Sequence, residues 1–109
     1  MMRSRRLVDP AQIRRVLTLG QRQHGANIDI FWSDNEAGHP RLGMIVPKFR
    51  QTAVARNLFR RRLREIWRRE TRMRLPAWDV VFRARSAGYD APYQRLRADV
   101  AEWCEGRGR

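Results

Sequence analysis

The segment from Lys48 to Arg74 constrains the fold more than any other part of this 109-residue chain. It holds eleven basic side chains, opposed only by Glu65 and Glu70, and carries +9 of the chain's net charge of +13. Wound at roughly 100° per residue, an α-helix that starts at Ala53 gathers apolar side chains on one arc and most arginines on another. The pattern predicts a surface helix that packs through one face and presents a dense positive face to solvent.

The two predicted faces of this helix are well separated. The positive face, which begins beside Arg56 and covers about 100° of arc, contains Asn57, Arg60, Arg61, Arg64 and Arg68. The packing face contains Ala55, Phe59, Leu63, Ile66 and Met73. Like charges one turn apart repel by a few tenths of a kcal/mol per pair, so a polyanion has to neutralise such a face. The pattern therefore indicates a nucleic-acid-binding helix, with phosphate as the contacted group.

Length and composition limit the remaining possibilities. A chain of 109 residues, 42% of them hydrophobic, can build one domain with a real core, and we expect a single RNA-binding domain over residues 1–109. No apolar run is long enough to cross a membrane, and no apolar stretch follows the N-terminal arginines as in a secretory signal. These features predict a cytoplasmic protein without a membrane partner.

No reaction centre is predicted. His24 and His39 lack a cysteine or carboxylate at metal-ligand spacing, and no phosphate-binding glycine loop is present. Cys104 lies near the end of an amphipathic helix, where a small buried hydrophobe is favoured over a nucleophile. The sequence predicts a binding surface and no cofactor or metal bound by the protein alone.

The order of elements is helix, strands, helix, strand, helix, which is typical of the α+β class. Asp9 and Pro10 begin the first helix, and Gly20 is expected to end it in a left-handed conformation. The remaining predicted elements are a strand over Gln21–Ser33 bent or bulged at Gly25, a strand over Arg41–Val46, the arginine helix capped by Thr52, a strand over Trp78–Ala84, and a helix capped by Asp90. Residues 1–6 and 105–109 are expected to be loose.

The segment Ala53–Glu65, with the sequence AVARNLFRRRLRE, closely resembles the Arg-Asn-Arg signature helix of the bacterial ribonuclease P protein subunit. Arg60 stands at the family's lysine position and retains the charge. Two further segments are similar to the family's strands in the right order, namely Arg41–Lys48 and Asp79–Arg85.

This resemblance implies a fold and a function. The fold is a four-stranded sheet with three helices and an unusual left-handed crossover. The function is that of the protein component of ribonuclease P, which binds the enzyme's catalytic RNA, with 1:1 stoichiometry, and the 5′ leader of precursor tRNA. The RNA and its Mg²⁺ ions perform the endonucleolytic cleavage of the leader.

The resemblance also assigns two sets of residues. The RNA-binding set is Lys48, Arg50, Arg56, Asn57, Arg60, Arg61, Arg64 and Arg68. The leader cleft, between the first helix and the sheet, is lined by Ile13, Arg14, Leu17 and Phe31. The chain departs from the family at Ile13 and Leu17, which replace aromatic residues, and at the loop Phe49–Gln51, which replaces a common lysine and glycine. Phe31 either takes over base stacking or packs in the core.

Other classes of binding protein share some of these features. A ribosomal protein or other structural-RNA binder would have the same charge and the same lack of catalytic groups. A DNA-binding regulator is disfavoured because no helix-turn-helix spacing precedes the arginine helix. A membrane-active helix is disfavoured because the segment lies between strands of a folded domain.

Overall fold

The structure of the protein is a computed structural model that describes residues 6–107. Within these residues, three α-helices and four strands follow in the order α1 (Pro10–Leu19), β1 (Gln21–Gln23), β2 (Ile28–Asp34), β3 (Arg41–Ile45), α2 (Ala53–Ile66), β4 (Trp78–Ala84) and α3 (Tyr93–Arg107). A π-helical turn (Trp67–Thr71) and a 3-10 turn (Arg72–Arg74) prolong α2, and another 3-10 turn (Ser86–Tyr89) precedes α3.

The strands form one mixed sheet in the order β1-β2-β4-β3. β2 runs antiparallel to β1 and β4, whereas β3 runs parallel to β4, with Gly43 opposite Val81. A parallel pair of strands needs a crossover connection, and α2 lies in that connection. The predicted α+β class is confirmed, and the left-handed sense of the crossover stays a prediction.

The sheet separates two apolar clusters. Ile30 and Trp32 pack on one face with side chains from α2 and α3. Phe31 and Val81 pack on the opposite face under α1. Adjacent residues of a strand point to opposite faces, so the alternation predicted for this strand is confirmed. Trp103 of α3 is fully buried and meets Trp32 edge-on, with ring centroids 5.4 Å apart.

The prediction of one strand over Gln21–Ser33 is wrong, because the chain reverses direction within it. β1 ends at Gln23 and pairs back onto β2 as an antiparallel hairpin, with Gln23 opposite Ile30. Gly25 lies in the connecting turn, where its N–H donates to the Asp29 carboxylate at 3.3 Å. Period-two alternation continues through both arms of a hairpin, so it does not reveal the reversal.

The arginine helix changes its winding after Ile66. Each residue of a π-helical turn advances by less than 100°, so faces drawn for an α-helix rotate out of register beyond that point. Met73, predicted on the packing face, is 74% exposed for this reason. Trp67 is buried and meets the Phe82 ring edge-on at 6.0 Å.

Gly20 ends α1, but not in the predicted left-handed conformation. Its φ of −79° is ordinary extended backbone. A Cβ at this position would lie 2.5 Å from the Val16 carbonyl oxygen and 2.6 Å from that of Trp32. Glycine is therefore required for the close approach of α1 to β2.

The predicted loose ends are wrong where the structure describes them. Arg6 forms a parallel bridge with Leu42, and the Leu7 N–H donates to the Leu42 carbonyl at 2.9 Å. Residues 105–107 continue α3, which begins at Tyr93, later than a cap at Asp90 predicts. Residues 1–5 and 108–109 lie outside the described residues.

Candidate nucleic-acid interface

The start of α2 is held by side chains on both sides of its first turn. Thr52 caps the helix as predicted, with its Oγ1 accepting a hydrogen bond from the Ala55 N–H at 3.0 Å. Arg56 donates from Nε and Nη2 to the Val46 carbonyl oxygen, at 3.2 and 2.9 Å. Arg56 was assigned to the RNA-binding set, but these two donors bind the protein's own backbone. Its guanidinium therefore anchors α2 to the end of β3.

The predicted positive face reaches the surface. Asn57, Arg61, Arg64 and Arg68 are exposed, and Arg60 is half-buried. The Asn57 Oδ1 accepts a hydrogen bond from the Arg60 Nη1 at 3.0 Å. Asn57 thus orients an arginine of the same face, as its short side chain on the preceding turn predicts.

The two carboxylates of this segment leave most of that face uncompensated. Glu65 binds the guanidinium groups of Arg68, at 3.1 Å, and of Arg69. Glu70 binds Arg97 of α3 at 2.7 Å. Partial burial, followed by the positive charges of Arg6 and Arg60, lowers the pKa of Arg64. Crowded like charges of this kind are stabilised by a bound polyanion.

The loop Lys48–Gln51 enters α2 through a strained turn. Phe49 and Arg50 have φ values of 42° and 63°, and an N–H···O bond of 2.6 Å closes the turn. Left-handed conformation costs a non-glycine residue roughly 1–2 kcal/mol. The Phe49 ring meets Tyr89 edge-on at 6.4 Å, which helps to hold the turn. Lys48 and Arg50 are exposed beside the first turn of α2, as expected for side chains that reach phosphates.

On the opposite face of the sheet, α1 covers an apolar surface. Ile13 and Leu17 are half-buried there, and Arg14 is exposed beside them. Phe31 is only 2% exposed, and the guanidinium carbon of Arg83 lies 4.8 Å from its ring centroid. The core interpretation of Phe31 is therefore confirmed. Its ring is covered, so the part assigned to it in base stacking does not follow from the structure.

A cluster of charges lies at the end of the same sheet face. The buried Asp29 carboxylate accepts hydrogen bonds from Arg83 at 3.0 Å and Arg85 at 3.4 Å, and the His24 Nδ1 lies 3.0 Å away. Burial acts to raise the pKa of Asp29, but hydrogen bonds from His24, Arg83 and the Gly25 backbone outweigh it and lower the pKa below 3.8. Asp29 thus orients two cations on the face of the sheet that α1 covers.

Arg83 and Arg85 were missed in the sequence, although a signal for Arg83 was present. It follows Val81 at a spacing of two on β4, and so lies on the face of the sheet that α1 covers. A positively charged side chain on a covered face is unusual for a strand in the centre of a sheet. The stacking of Arg83 on Phe31 requires β2 and β4 to pair. These strands are distant in the sequence, since Asp29 and Arg83, which are in contact, are 54 residues apart.

Replacing Asp29 with Asn is expected to lower the free energy of unfolding by about 1–3 kcal/mol near neutral pH, because charge-assisted hydrogen bonds to a buried group are lost. A carboxyl whose pKa falls on folding stabilises the protein above its unfolded-state pKa of 3.8. That contribution is lost as the pH falls through the folded-state value. Urea unfolding across this range should therefore show the difference between wild type and variant shrinking in acid. The exposed Asp34→Asn is the matched control, and an equal pH profile for both variants would contradict the role of Asp29.

The described residues contain no cluster of three or more histidine, cysteine or acidic side chains that could hold a metal ion. Cys104 is buried, and burial raises the pKa of its thiol, as expected for a core residue. Among residues 6–107, no helix is both long and apolar enough to span a membrane. The surface that the structure does provide is the positive face of α2, with the α1 side of the sheet beside it.

Comparisons with known protein families and with known proteins all indicate one family. The ribonuclease P family matches residues 1–106. The ribonuclease P protein component of Vibrio vulnificus is 36% identical over 95 residues, which cover 86% of this chain and 80% of the relative. That of Herpetosiphon aurantiacus is 32% identical over 101 residues, which cover 93% and 82% of the two chains.

Solved structures share the fold. The Staphylococcus aureus ribonuclease P protein superposes with a TM-score of 0.85 at 23% identity, covering 94% of this chain and 97% of that one. The Thermotoga maritima protein gives a TM-score of 0.80 at 20% identity, covering 90% and 93%. The match to the family spans nearly the whole sequence, and the signature helix is the one that carries the positive face. This chain therefore belongs to the ribonuclease P protein family, whose members are the protein component of a ribonucleoprotein endoribonuclease that processes the 5′ end of tRNA.

Proposed function

We propose that this protein binds the RNA of ribonuclease P through the positive face of α2 and the loop Lys48–Gln51. The observation that supports the proposal is the exposed arginine surface around Arg61 and Arg64. The two carboxylates of this segment bind other arginines, Glu65 those at positions 68 and 69 and Glu70 the one at position 97. Binding of phosphates to such a surface releases condensed counterions, which gives affinity that falls with salt.

We further propose that the 5′ leader of precursor tRNA lies along the α1 side of the sheet. Single-stranded RNA is bound by apolar or aromatic surfaces that contact bases, together with cations that contact phosphates. Ile13 and Leu17 offer the apolar surface, and Arg14 is exposed beside them. Arg83 and Arg85, oriented by Asp29, add cations on the same side. In this proposal Phe31 supports the cleft from beneath.

We propose the following division of labour between the RNA and the protein. The RNA and the Mg²⁺ ions that it requires perform the cleavage, and the protein contributes binding and orientation. In this proposal one protein joins one RNA through the positive face of α2. In this proposal the complex works in the cytoplasm.

The leader proposal is tested with the assembled complex. The affinity for precursor tRNA with a leader and for mature tRNA should differ, and the paired variant Arg83→Gln/Arg85→Gln should reduce that difference. Arg95→Gln/Arg107→Gln on α3 removes the same charge elsewhere and serves as the control. Equal affinity of the wild-type complex for both RNAs would overturn the placement of the leader on this protein.

Restoring aromatic side chains in α1 should tighten leader binding. Ile13→Phe/Leu17→Phe adds rings that can stack on bases, which are worth up to about 1–3 kcal/mol per base. The expected result is higher affinity for precursor tRNA and unchanged affinity for mature tRNA, measured by equilibrium binding of the complex. Leu19→Phe, at a position of the same helix that is 73% exposed, is the control. If the double variant is folded and binds the leader no better than this control, α1 does not contact the leader.

A further inference from the structure

A groove of about 410 Å³ lies where α2 passes the edge strand β3. Leu42, Met44 and the edge of Trp67 form its apolar floor, and Arg64, Arg68 and Arg72 are among the arginines at its rim. Ile13 lines the side of the groove that adjoins the leader cleft. Sites of roughly 300–1,000 Å³ are the usual size for small ligands and cofactors. This β3-edge groove is therefore large enough to take a group of that size into the positive surface.

The charge of the groove is one-sided. No aspartate or glutamate is among the described residues that line it, whereas the rim brings together arginines from α2, from the turns that follow it and from the N-terminal segment at Arg6. The lowered pKa of Arg64, caused by partial burial and by the charges of Arg6 and Arg60, reflects that crowding. An anionic group at the rim would relieve the repulsion.

The apolar floor is the feature that phosphate binding alone does not explain. Arginines that contact only phosphates require no apolar surface beneath them. Here a thioether and an indole edge lie beneath the guanidinium groups, with Met44 only partly buried and Trp67 fixed by its contact with Phe82. Methionine sulfur and aromatic edges form favourable contacts with flat aromatic groups. The groove thus combines an anion-binding rim with a floor for a flat apolar group.

We propose that the β3-edge groove binds one unstacked nucleotide of the partner RNA, with its base on the apolar floor and its phosphate at Arg64 and Arg72. This inference rests on the proposed function as an RNA-binding subunit and adds a base-contacting site to it. The contact with Met44 and Trp67 recognises the face of a flat base and would discriminate an extruded nucleotide from one stacked in a duplex, because neighbouring bases already cover both faces of a stacked base.

The site is tested with adenosine 5′-monophosphate and, as the matched probe that lacks a base, ribose 5-phosphate. NMR titration of the full chain should show the Met44 methyl and the Trp67 indole resonances shifting with the nucleotide and not with ribose 5-phosphate. We expect the nucleotide to bind roughly tenfold more tightly, since the base contact adds to a shared phosphate contact. Equal affinity of the two probes, or shifts confined to arginine resonances, would overturn the nucleotide site.

Two matched pairs of variants locate the site. Arg64→Gln removes a rim charge, and Arg69→Gln removes the same charge from a side chain that binds Glu65 and does not line the groove. Arg64→Gln should weaken nucleotide binding about fivefold or more, as expected for the loss of a charge-assisted contact, and Arg69→Gln less than about twofold. Met44→Glu should abolish nucleotide binding. Val54→Glu, at a position of α2 that is 78% exposed, introduces the same charge and is the control.

The outcomes separate this inference from the proposed function. If Arg64→Gln and Arg69→Gln weaken nucleotide binding equally, the groove is not the site, whatever the affinity for ribonuclease P RNA. Because Arg64 is exposed, its variant tests the site even if Met44→Glu does not fold. If the wild-type protein distinguishes the two probes as expected but does not bind ribonuclease P RNA, the groove stands and the proposed function fails.

Discussion

Replacing Arg60 and Arg61 together with glutamine is expected to weaken binding to ribonuclease P RNA roughly a hundredfold, since a hydrogen bond to a charged group is worth about 1.5–3 kcal/mol. Arg61 is exposed on the positive face, and Arg60 is held beside it by Asn57. Each lost phosphate contact also removes somewhat under one unit from the slope of log affinity against log salt. Filter binding across a range of salt concentrations measures both quantities.

The control for this variant is Arg69→Gln/Arg95→Gln, which lowers the net charge equally at two exposed positions outside the predicted RNA-binding set. This control variant should keep most of the affinity for ribonuclease P RNA. Its slope of log affinity against log salt should fall by much less than that of Arg60→Gln/Arg61→Gln. Asn57→Ala should cause a smaller loss than Arg61→Gln, because Asn57 acts through the orientation of Arg60. An unchanged salt slope in Arg60→Gln/Arg61→Gln would show that this face is merely solvated.

Replacing Phe31 with alanine is expected to cost about 3–5 kcal/mol of the free energy of unfolding, the usual range for a buried aromatic ring. The ring is 2% exposed between α1 and Arg83, so the substitution leaves a cavity and removes the surface on which the guanidinium stacks. For a domain of this size the melting temperature should fall by roughly 4–8 °C per kcal/mol. Thermal and urea unfolding give the two measurements.

The matched control for the Phe31 substitution is Leu19→Ala, at a position of α1 that is 73% exposed. A surface substitution of this kind should change stability by less than about 0.5 kcal/mol. Once the folded fraction is taken into account, Phe31→Ala should retain binding of mature tRNA and most of the binding of precursor tRNA, because Asp29 still holds Arg83. A variant that keeps wild-type stability and loses only leader binding would contradict the buried position of Phe31.

The sequence predicts those features that depend on neighbouring residues. Local periodicity and hydrogen-bonding chemistry predict the cap at Thr52, the separated faces of α2 up to Ile66 and the alternation in β2. The structure contains all three. The Asn57–Arg60 hydrogen bond is of the same kind, since residues three apart are neighbours on a helix.

The features that the sequence did not reveal depend on contacts between distant segments or on a change of winding. Arg56 lies beside the positive face by periodicity, yet the proximity of Val46 at the end of β3 takes up its donors. Met73 is exposed because the helix changes to a π-helical turn after Ile66. Arg83 reaches Phe31 and Asp29 only once β4 has paired with β2.

The Phe49–Gln51 loop shows the same limit. A turn with two left-handed residues normally contains glycine or asparagine, and neither occurs here. The conformation is compatible with the fold because Tyr89, about 40 residues later in the chain, packs on Phe49 and donates a hydrogen bond to the Pro47 carbonyl. Local propensity therefore does not predict this turn, although the sequence predicts RNA contacts for Lys48 before it and for Arg50 within it.

We infer that this protein supplies RNA binding while the RNA supplies the chemistry. This inference is tested most directly by single-turnover cleavage of a precursor tRNA by a bacterial ribonuclease P RNA at low magnesium, with and without the purified protein. We predict that the protein alone leaves the leader intact, that it accelerates cleavage by the RNA, and that Arg60→Gln/Arg61→Gln loses most of this acceleration. A ribosomal or other structural-RNA-binding protein would give no acceleration, and that result would contradict the account.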